Sequence, residues 1–145
     1  MEQLFNDMQQ HIATRLGDAV ALVVEDCGQL EAVENGTVAG YEVDFPCVLI
    51  SMAEIEWKPL KAEGQRGYAT LNVRLAFDCS GEPAEEAVAG AQARMRLESQ
   101  LNAAIDGWTF EGCSRPVCRT HSRQLTRKGG IKVYETVYTT TVCSD

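Results

Sequence analysis

Cys113, Cys118 and His121 form a C-x4-C-x2-H arrangement, the chain's nearest approach to a set of metal ligands. Thiolate and imidazole are zinc donors, but a structural zinc site closes with four ligands and no fourth candidate stands beside these three. On one regular strand Cys118 and His121, an odd number of residues apart, point to opposite faces, which opposes shared coordination. As a nucleophile and base they would need an orienting group and an oxyanion hole, and nothing in the sequence supplies either. His11, between Met8 and Ile12 and beside Gln9 and Gln10, reads as an ordinary surface or boundary residue. Glu82, Glu85 and Glu86 suit the positive end of a helix dipole, whereas catalytic acid pairs need burial and an opposing partner. Phosphate-binding glycine loops, nucleophile elbows and zinc-protease helices are missing from the sequence. The expectation is a chain with no cofactor, no bound metal and no catalysis of its own.

Arg115, Arg119, Arg123 and Arg127 recur every four residues, which on an extended strand puts the middle ones on one face with His121. Such a stripe could meet a phosphate backbone or an acidic partner, or it could protect a solvated edge strand against aggregation. The surrounding charge is uneven. Between Glu111 and Glu135 there is no acidic residue, yet that segment holds six of the 13 basic side chains in a chain of net charge −8. A pI near 4.8 argues against a whole-molecule grip on nucleic acid, so no sequence-specific nucleic-acid partner is expected. The polar connection Lys58 to Gly67, too long for a tight hairpin turn, brings Lys58, Lys61, Gln65 and Arg66 into the set of candidate contact residues.

The elements that must position these residues can be read from periodicity. Tyr68 to Cys79 alternates, with apolar side chains at Ala69, Leu71, Val73, Leu75, Phe77 and Cys79, and predicts a strand with one core face and one wet face. Pro83 and the glutamates after it open a helix running from Ala84 to Ile105. Its predicted apolar stripe comprises Ala84, Val88, Ala91, Met95, Leu97, Leu101, Ala104, Ile105 and Trp108. Met1 to Leu16 predicts an amphipathic helix ended by Gly17. Ala19 to Val24 reads as a well-buried strand and Phe45 to Met52 as a central one, with Pro46 tolerable only at its start. Ala53 to Trp57 continues the alternation. Between these strands an irregular loop from Cys27 to Asp44 has a small helix around Gln29 to Val33 and turn signals at Asn35-Gly36 and Ala39-Gly40. Cys113 to Leu125 and Ile131 to Val142 form a hairpin about Thr126 to Gly130, with the Tyr134, Thr136, Tyr138, Thr140, Val142 face turned inward. The order is helix, three strands, helix, two strands. It predicts one α+β domain over residues 1–145, with a largely antiparallel mixed sheet and two main helices on one face.

The 145 residues suffice for a core that needs no cross-link. No run of eighteen apolar residues is present, and the first residues lack the basic head and apolar middle of a secretory signal. A soluble chain made in the cytoplasm, without a membrane partner, is expected. In that setting Cys27, Cys47, Cys79, Cys113, Cys118 and Cys143, mostly in apolar strand-like runs, read as reduced core residues.

Several blocks together resemble bacteriophage tail-terminator and tail-completion proteins, particularly small prophage-type members. They are Val23 to Leu30, Phe45 to Ile50, Gly64 to Gly67 leading into Ala69-Thr70-Leu71, Leu101 to Trp108, and Arg119 to Arg123 followed by Val133 to Thr136. The likeness covers most of the chain and carries no catalytic residues. It implies an α+β subunit that assembles with itself into a ring, typically a hexamer, in the virion tail. Such a ring caps the tail tube, stops its polymerisation and meets the head-tail connector, so the implied partners are further copies, the tail-tube protein and the connector protein. Two alternatives stand beside it: a neck or connector component, and a small-ligand domain with its pocket between the Ala84 to Ile105 helix and the sheet. On the ring reading the eight basic and polar residues named above form the subunit interface. Reversing Arg119 and Arg123 to Glu should then spare the fold and weaken assembly.

The cysteine reading is tested by a thiol count under denaturing, non-reducing conditions. Six free thiols are expected in freshly prepared protein, and fewer than five would contradict it.

Overall fold

A computed structural model describes residues 2–36, 43–61 and 64–144. Its elements are α1 (Glu2–Leu16), β1 (Leu22–Glu25), α2 (Gln29–Glu34), β2 (Cys47–Pro59), β3 (Gln65–Asp78), α3 (Ala87–Ile105), β4 (Cys118–Arg127) and β5 (Ile131–Ser144). Single 3-10 turns stand at Gly17–Ala19 and Ala84–Glu86. The five strands make one sheet in the order β1-β2-β3-β5-β4, with β1 parallel to β2 and every other pair antiparallel. This is the expected α+β fold. The small helix of the Cys27 to Asp44 loop is α2, and Asn35-Gly36 forms its exit turn; the predicted Ala39-Gly40 turn lies outside the described residues.

The main core forms where α1 and α3 lie on the sheet. Leu4, Met8, Ile12 and Leu16, four residues apart, put one face of α1 against Val48 and Ile50 of β2 and Leu71, Val73 and Leu75 of β3. Tyr134, Tyr138 and Val142 of β5 complete it beside Leu101 and Ile105 of α3, so the tyrosine face is the inward one. Each such aliphatic side chain contributes about 1.5–3 kcal/mol when removed from water. The buried Tyr138 hydroxyl donates to Asn102 Oδ1 at 2.8 Å, and burial pushes its pKa well above the usual phenol range.

Several expectations change. The buried face of α3 is not the predicted apolar stripe: Leu101, Ala104 and Ile105 are buried, Leu97 packs on the core and Arg94 continues the same face, while Val88 is 72% and Met95 46% exposed. At about 3.6 residues per turn Val88 and Met95 fall on another side of the helix from Arg94, Leu97, Leu101 and Ile105. Trp108 does not extend the stripe either; its ring stacks on His11 of α1 at 4.3 Å, with Phe110 edge-on to the same imidazole at 5.5 Å. His11 is thus the centre of an aromatic clamp between α1 and the segment after α3. The first apolar run yields an edge strand of four residues, because Gly17–Ala19 is taken into a 3-10 turn and only β2 pairs with β1. Lys58 to Gly67 is not an extended loop. Lys58 pairs with Arg66 and Pro59 with Gln65, so that only residues 60–64 lie between the paired strands of a long hairpin.

The second face of the sheet is not simply wet. At one end Leu30 of α2 covers Cys47, Leu49, Ala76, Ile131 and Val133. Beside this patch a row of paired residues, Leu49, Arg74, Glu135 and Arg123, crosses β2, β3, β5 and β4. Arg74 donates to Glu135 Oε2 at 3.0 Å, Glu31 Oε1 at 3.0 Å and Asp26 Oδ2 at 3.4 Å. Arg123 Nε reaches the other oxygen of Glu135 at 2.9 Å, and Arg127 Nη2 bonds Glu34 Oε2 at 2.7 Å. Burial works to raise the pKa of both Glu31 and Glu135, but the hydrogen bonds from Arg74, joined at Glu135 by Arg123, outweigh it and hold both carboxyls below 4.5.

Arg74→Met therefore leaves Glu135, whose side chain is 7% exposed, short of its better-buried partner and frees α2 on one side. A loss of about 3 kcal/mol in denaturant unfolding is expected, the scale for breaking a buried ion pair. Because the folded carboxyl pKa values are depressed, the network's stabilisation is complete above the unfolded value near 4.5 and is lost as pH falls through the folded values. Acid titrations by circular dichroism should show the variant unfolding at higher pH than the wild type.

Candidate functional site

The arginine stripe is broken by a β-bulge. Arg119 pairs with Tyr138 and His121 with Val137, so Thr120 is the extra residue, its hydroxyl donating to the Val137 carbonyl at 3.2 Å. One inserted residue inverts the alternation. Arg119 consequently shares the face of Tyr138, toward α3, whereas His121, Arg123 and Arg127 share the face of Val137 and Glu135. The predicted common face for Arg119, His121 and Arg123 is therefore incorrect. The bulge also brings Cys118 and His121 onto one face, removing the parity argument against shared coordination. Cys113 still stands apart, bridged to Val142 and packed on the main core. Among the described residues no group of three potential ligands is placed to hold a metal ion.

The four arginines differ in availability. Arg127, 20% exposed, is held by Glu34 and Glu31, and Arg123, 52% exposed, by Glu135. Among the described residues the side chains of Arg115 and Arg119 make no ion pair, and both residues are exposed. Arg115 precedes β4, its carbonyl accepting from Thr140 Oγ1 at 2.9 Å. The Arg119 N–H donates to Asp106 Oδ1 at 2.9 Å, and Val117 exchanges backbone bonds with Gly107 and Trp108. The segment after α3 thus covers the beginning of β4. Beyond it, from His121 to Arg127, no described strand lies along the outer edge.

A second open edge lies on the other side of the sheet. β1 pairs with β2 only from Cys47 to Ile50, so Ser51–Pro59 is flanked by β3 alone. This part of the β2–β3 hairpin, the arm, runs to the end of the sheet, with β5 still paired to β3 as far as Gln65. It carries Lys58, Gln65 and Arg66 on its strands and Lys61 at its tip; residues 62–63 lie outside the described residues. Lys58 Nζ sits 5.3 Å above the Tyr68 ring and 4.0 Å from Glu56. Trp57, Leu60 and Tyr68 are more than a third exposed there. Trp57 folds over Gly67, where a Cβ would come within 2.9 Å of Ile55, Trp57 and Val142 side chains. An open groove of about 440 Å³ runs across the face opposite the long helices, its lining including Glu54, Glu56, Tyr68, Thr70, Arg115 and Cys118. Another, of about 310 Å³, has Glu98 and Arg119 among its walls between α3 and the β4–β5 pair. Glu54, Glu56, Trp57 and Tyr68 had escaped notice as contact residues, although alternation from Ala53 to Trp57 announced a strand.

The cysteines do not all belong to the core. Cys47 is buried, which pushes its thiol up to about 12, and Cys79 and Cys113 are half-buried. Cys27, Cys118 and Cys143 are exposed, because each falls at a strand end or edge where alternation turns it outward.

These elements define an α+β fold with two helices on one face of a mixed sheet and, among the described residues, an open edge on each side. No protein-family model matches the chain, and no curated protein matches it. The fold does match that of a chain from the virion of a native gene transfer agent particle, over 99% of this chain and 96% of that one, with a TM-score of 0.56 at 13% identity. The likeness is one of fold. No helix of the described residues is long and apolar enough to cross a membrane.

Arg119 and Arg123 should respond differently to charge reversal, against the expectation that the double change spares the fold. Arg123→Glu sets a second carboxylate beside Glu135 and should cost about 2 kcal/mol, the scale of a charged hydrogen bond. Arg119→Glu should stay within about 0.5 kcal/mol of wild type. Parallel urea titrations would measure both.

Proposed function

We propose that the chain is a structural subunit of a phage-like particle, assembling with its own copies into a ring at the end of the tail tube. The ring stops tube polymerisation and joins the tail to the head connector. The observation that carries this reading is the near-complete, two-way fold match to a chain of a gene transfer agent virion. The tail-terminator resemblance of the sequence blocks points the same way, and no catalytic or metal-holding cluster among the described residues favours an enzyme. The groove between α3 and the sheet, where a ligand-binding domain would place its site, is a shallow gap with charged walls rather than an apolar pocket with converging polar groups. In the ring, the arm residues Lys58, Lys61, Gln65 and Arg66 and the β4-side residues Arg115 and Arg119 face neighbouring proteins. Arg123 and Arg127 chiefly hold their own subunit together.

The test is direct. The chain, added in substoichiometric amount to the polymerising tail-tube protein of its cognate particle, should halt elongation and appear as a ring at one tube end by negative-stain electron microscopy. Lys58→Glu with Arg66→Glu on the arm should abolish capping while leaving the circular dichroism spectrum unchanged. Tubes of unaltered length, without an end ring, would refute the assignment.

A further inference from the structure

We infer that successive copies of this chain join sheet to sheet, the His121–Arg127 edge of β4 in one copy pairing antiparallel with the Ser51–Pro59 edge of β2 in the next. This rests on the reading of the chain as a self-assembling subunit and identifies the surface that does it. Both edges are extended backbone with no described strand alongside, and such an edge is a template for another strand. Both are also guarded. Each carries a bulge, at Ala53 in β2 and at Thr120 in β4, and charged side chains, the devices that suppress indiscriminate pairing.

The guards have opposite sign. On the face that Glu54 and Glu56 of the open β2 share, the open part of β4 presents His121, Arg123 and Arg127 and no acid of its own, Arg123 also binding Glu135 and Arg127 binding Glu34 and Glu31 within the copy. The one cation of the open β2, Lys58, lies over its own Tyr68 ring and beside Glu56. Through Thr70 and Val137, Glu54 and His121 belong to the same sheet face: Glu54 pairs with Thr70, Thr70 with Thr139, and Thr139 lies two residues from Val137, the partner of His121. Two β4 edges would set arginines against arginines and two β2 edges glutamates against glutamates. Only the unlike pair is unopposed, so the surface selects a heterologous contact over a two-fold dimer.

Strand direction agrees. From β2 to β4 the sheet passes through three antiparallel pairings, so β4 runs opposite to β2, and a rotation about an axis near the strand direction carries that relation over to neighbouring copies. The joined edges are then antiparallel, the pairing more stable per residue. Register adds the offset. Cys118 is level with Glu54 through Thr139 and Thr70, so the open part of β4 lies toward the opposite end of the sheet from the β2 arm. Neighbours must slide along their strands to meet, and a closing sheet requires that stagger, with strands inclined by roughly 35–45°.

The test uses the full-length chain and two edge variants, Glu54→Lys with Glu56→Lys, and His121→Glu. The wild type should form a closed oligomer by light scattering, with hydrogen exchange slowed in residues 51–59 and 121–127 together. Each variant alone should stay monomeric with an unchanged circular dichroism spectrum. A mixture of the two should assemble again, because each edge of one variant then meets an edge of opposite charge on the other, and so should the chain carrying all three changes. An oligomer whose two edges exchange as fast as in the monomer, variants that assemble like wild type, or a triple variant that folds but stays monomeric would each overturn the inference. So would a wild type monomeric at the highest attainable concentration. Capping of tail tubes, measured separately, decides the functional reading whichever way the edges behave.

Discussion

The guanidinium of Arg74 holds together parts of the molecule that have little else in common. It rises from the middle of β3, the central strand, and reaches carboxylates on β5, on α2 and on the turn after β1. Hydrophobic burial alone would leave α2 poorly attached, since a six-residue helix offers little beyond Leu30 to the second face of the sheet. The charged network supplies what that area cannot. It does so under partial burial, where an ion pair is stabilising only if each lone pair and N–H finds a partner. Glu135 meets the condition by taking Arg74 on one oxygen and Arg123 on the other. Burial raises the cost of leaving any member unpaired, and for that reason the network behaves as a unit.

From this follows an uneven coverage of the sheet. Near Arg74 both faces are buried, one by α1 and α3 and the other by α2. Farther along, beside the arm of the β2–β3 hairpin, the face opposite the helices opens into a threonine-rich groove. That hairpin carries Trp57, Leu60 and Tyr68, each more than a third exposed, and α3 turns Val88 outward.

The elements themselves were legible in the chain. Four-residue spacing from Leu4 to Leu16 produced α1, alternation from Ala69 to Phe77 produced β3, and the glycine pair before Ile131 produced the last hairpin, because local periodicity and turn chemistry act over distances the sequence displays directly. The α+β class followed from the same rules, whereas alternation in β5 left neither face clearly more apolar, and packing against Leu101 and Ile105 of α3 decided that the tyrosine face turns inward. The extent to which each element is covered could not be read this way. Val88 and Met95 are apolar but lie outside because the face of α3 that meets the sheet runs through Arg94, Leu97, Leu101 and Ile105 instead; Cys27, Cys118 and Cys143 are outside because strand ends and edges lack a second layer. The candidate contact residues fared similarly. Their positions could be named, but a single extra residue at Thr120 reversed the face of Arg119 relative to His121, and a bulge depends on pairing with β5 rather than on any local signal. The binding of Arg123 and Arg127 to acids up to 96 residues away in the chain was likewise decided only by tertiary structure. Periodicity specifies which way a side chain points within its own element; what it meets there depends on which other elements arrive.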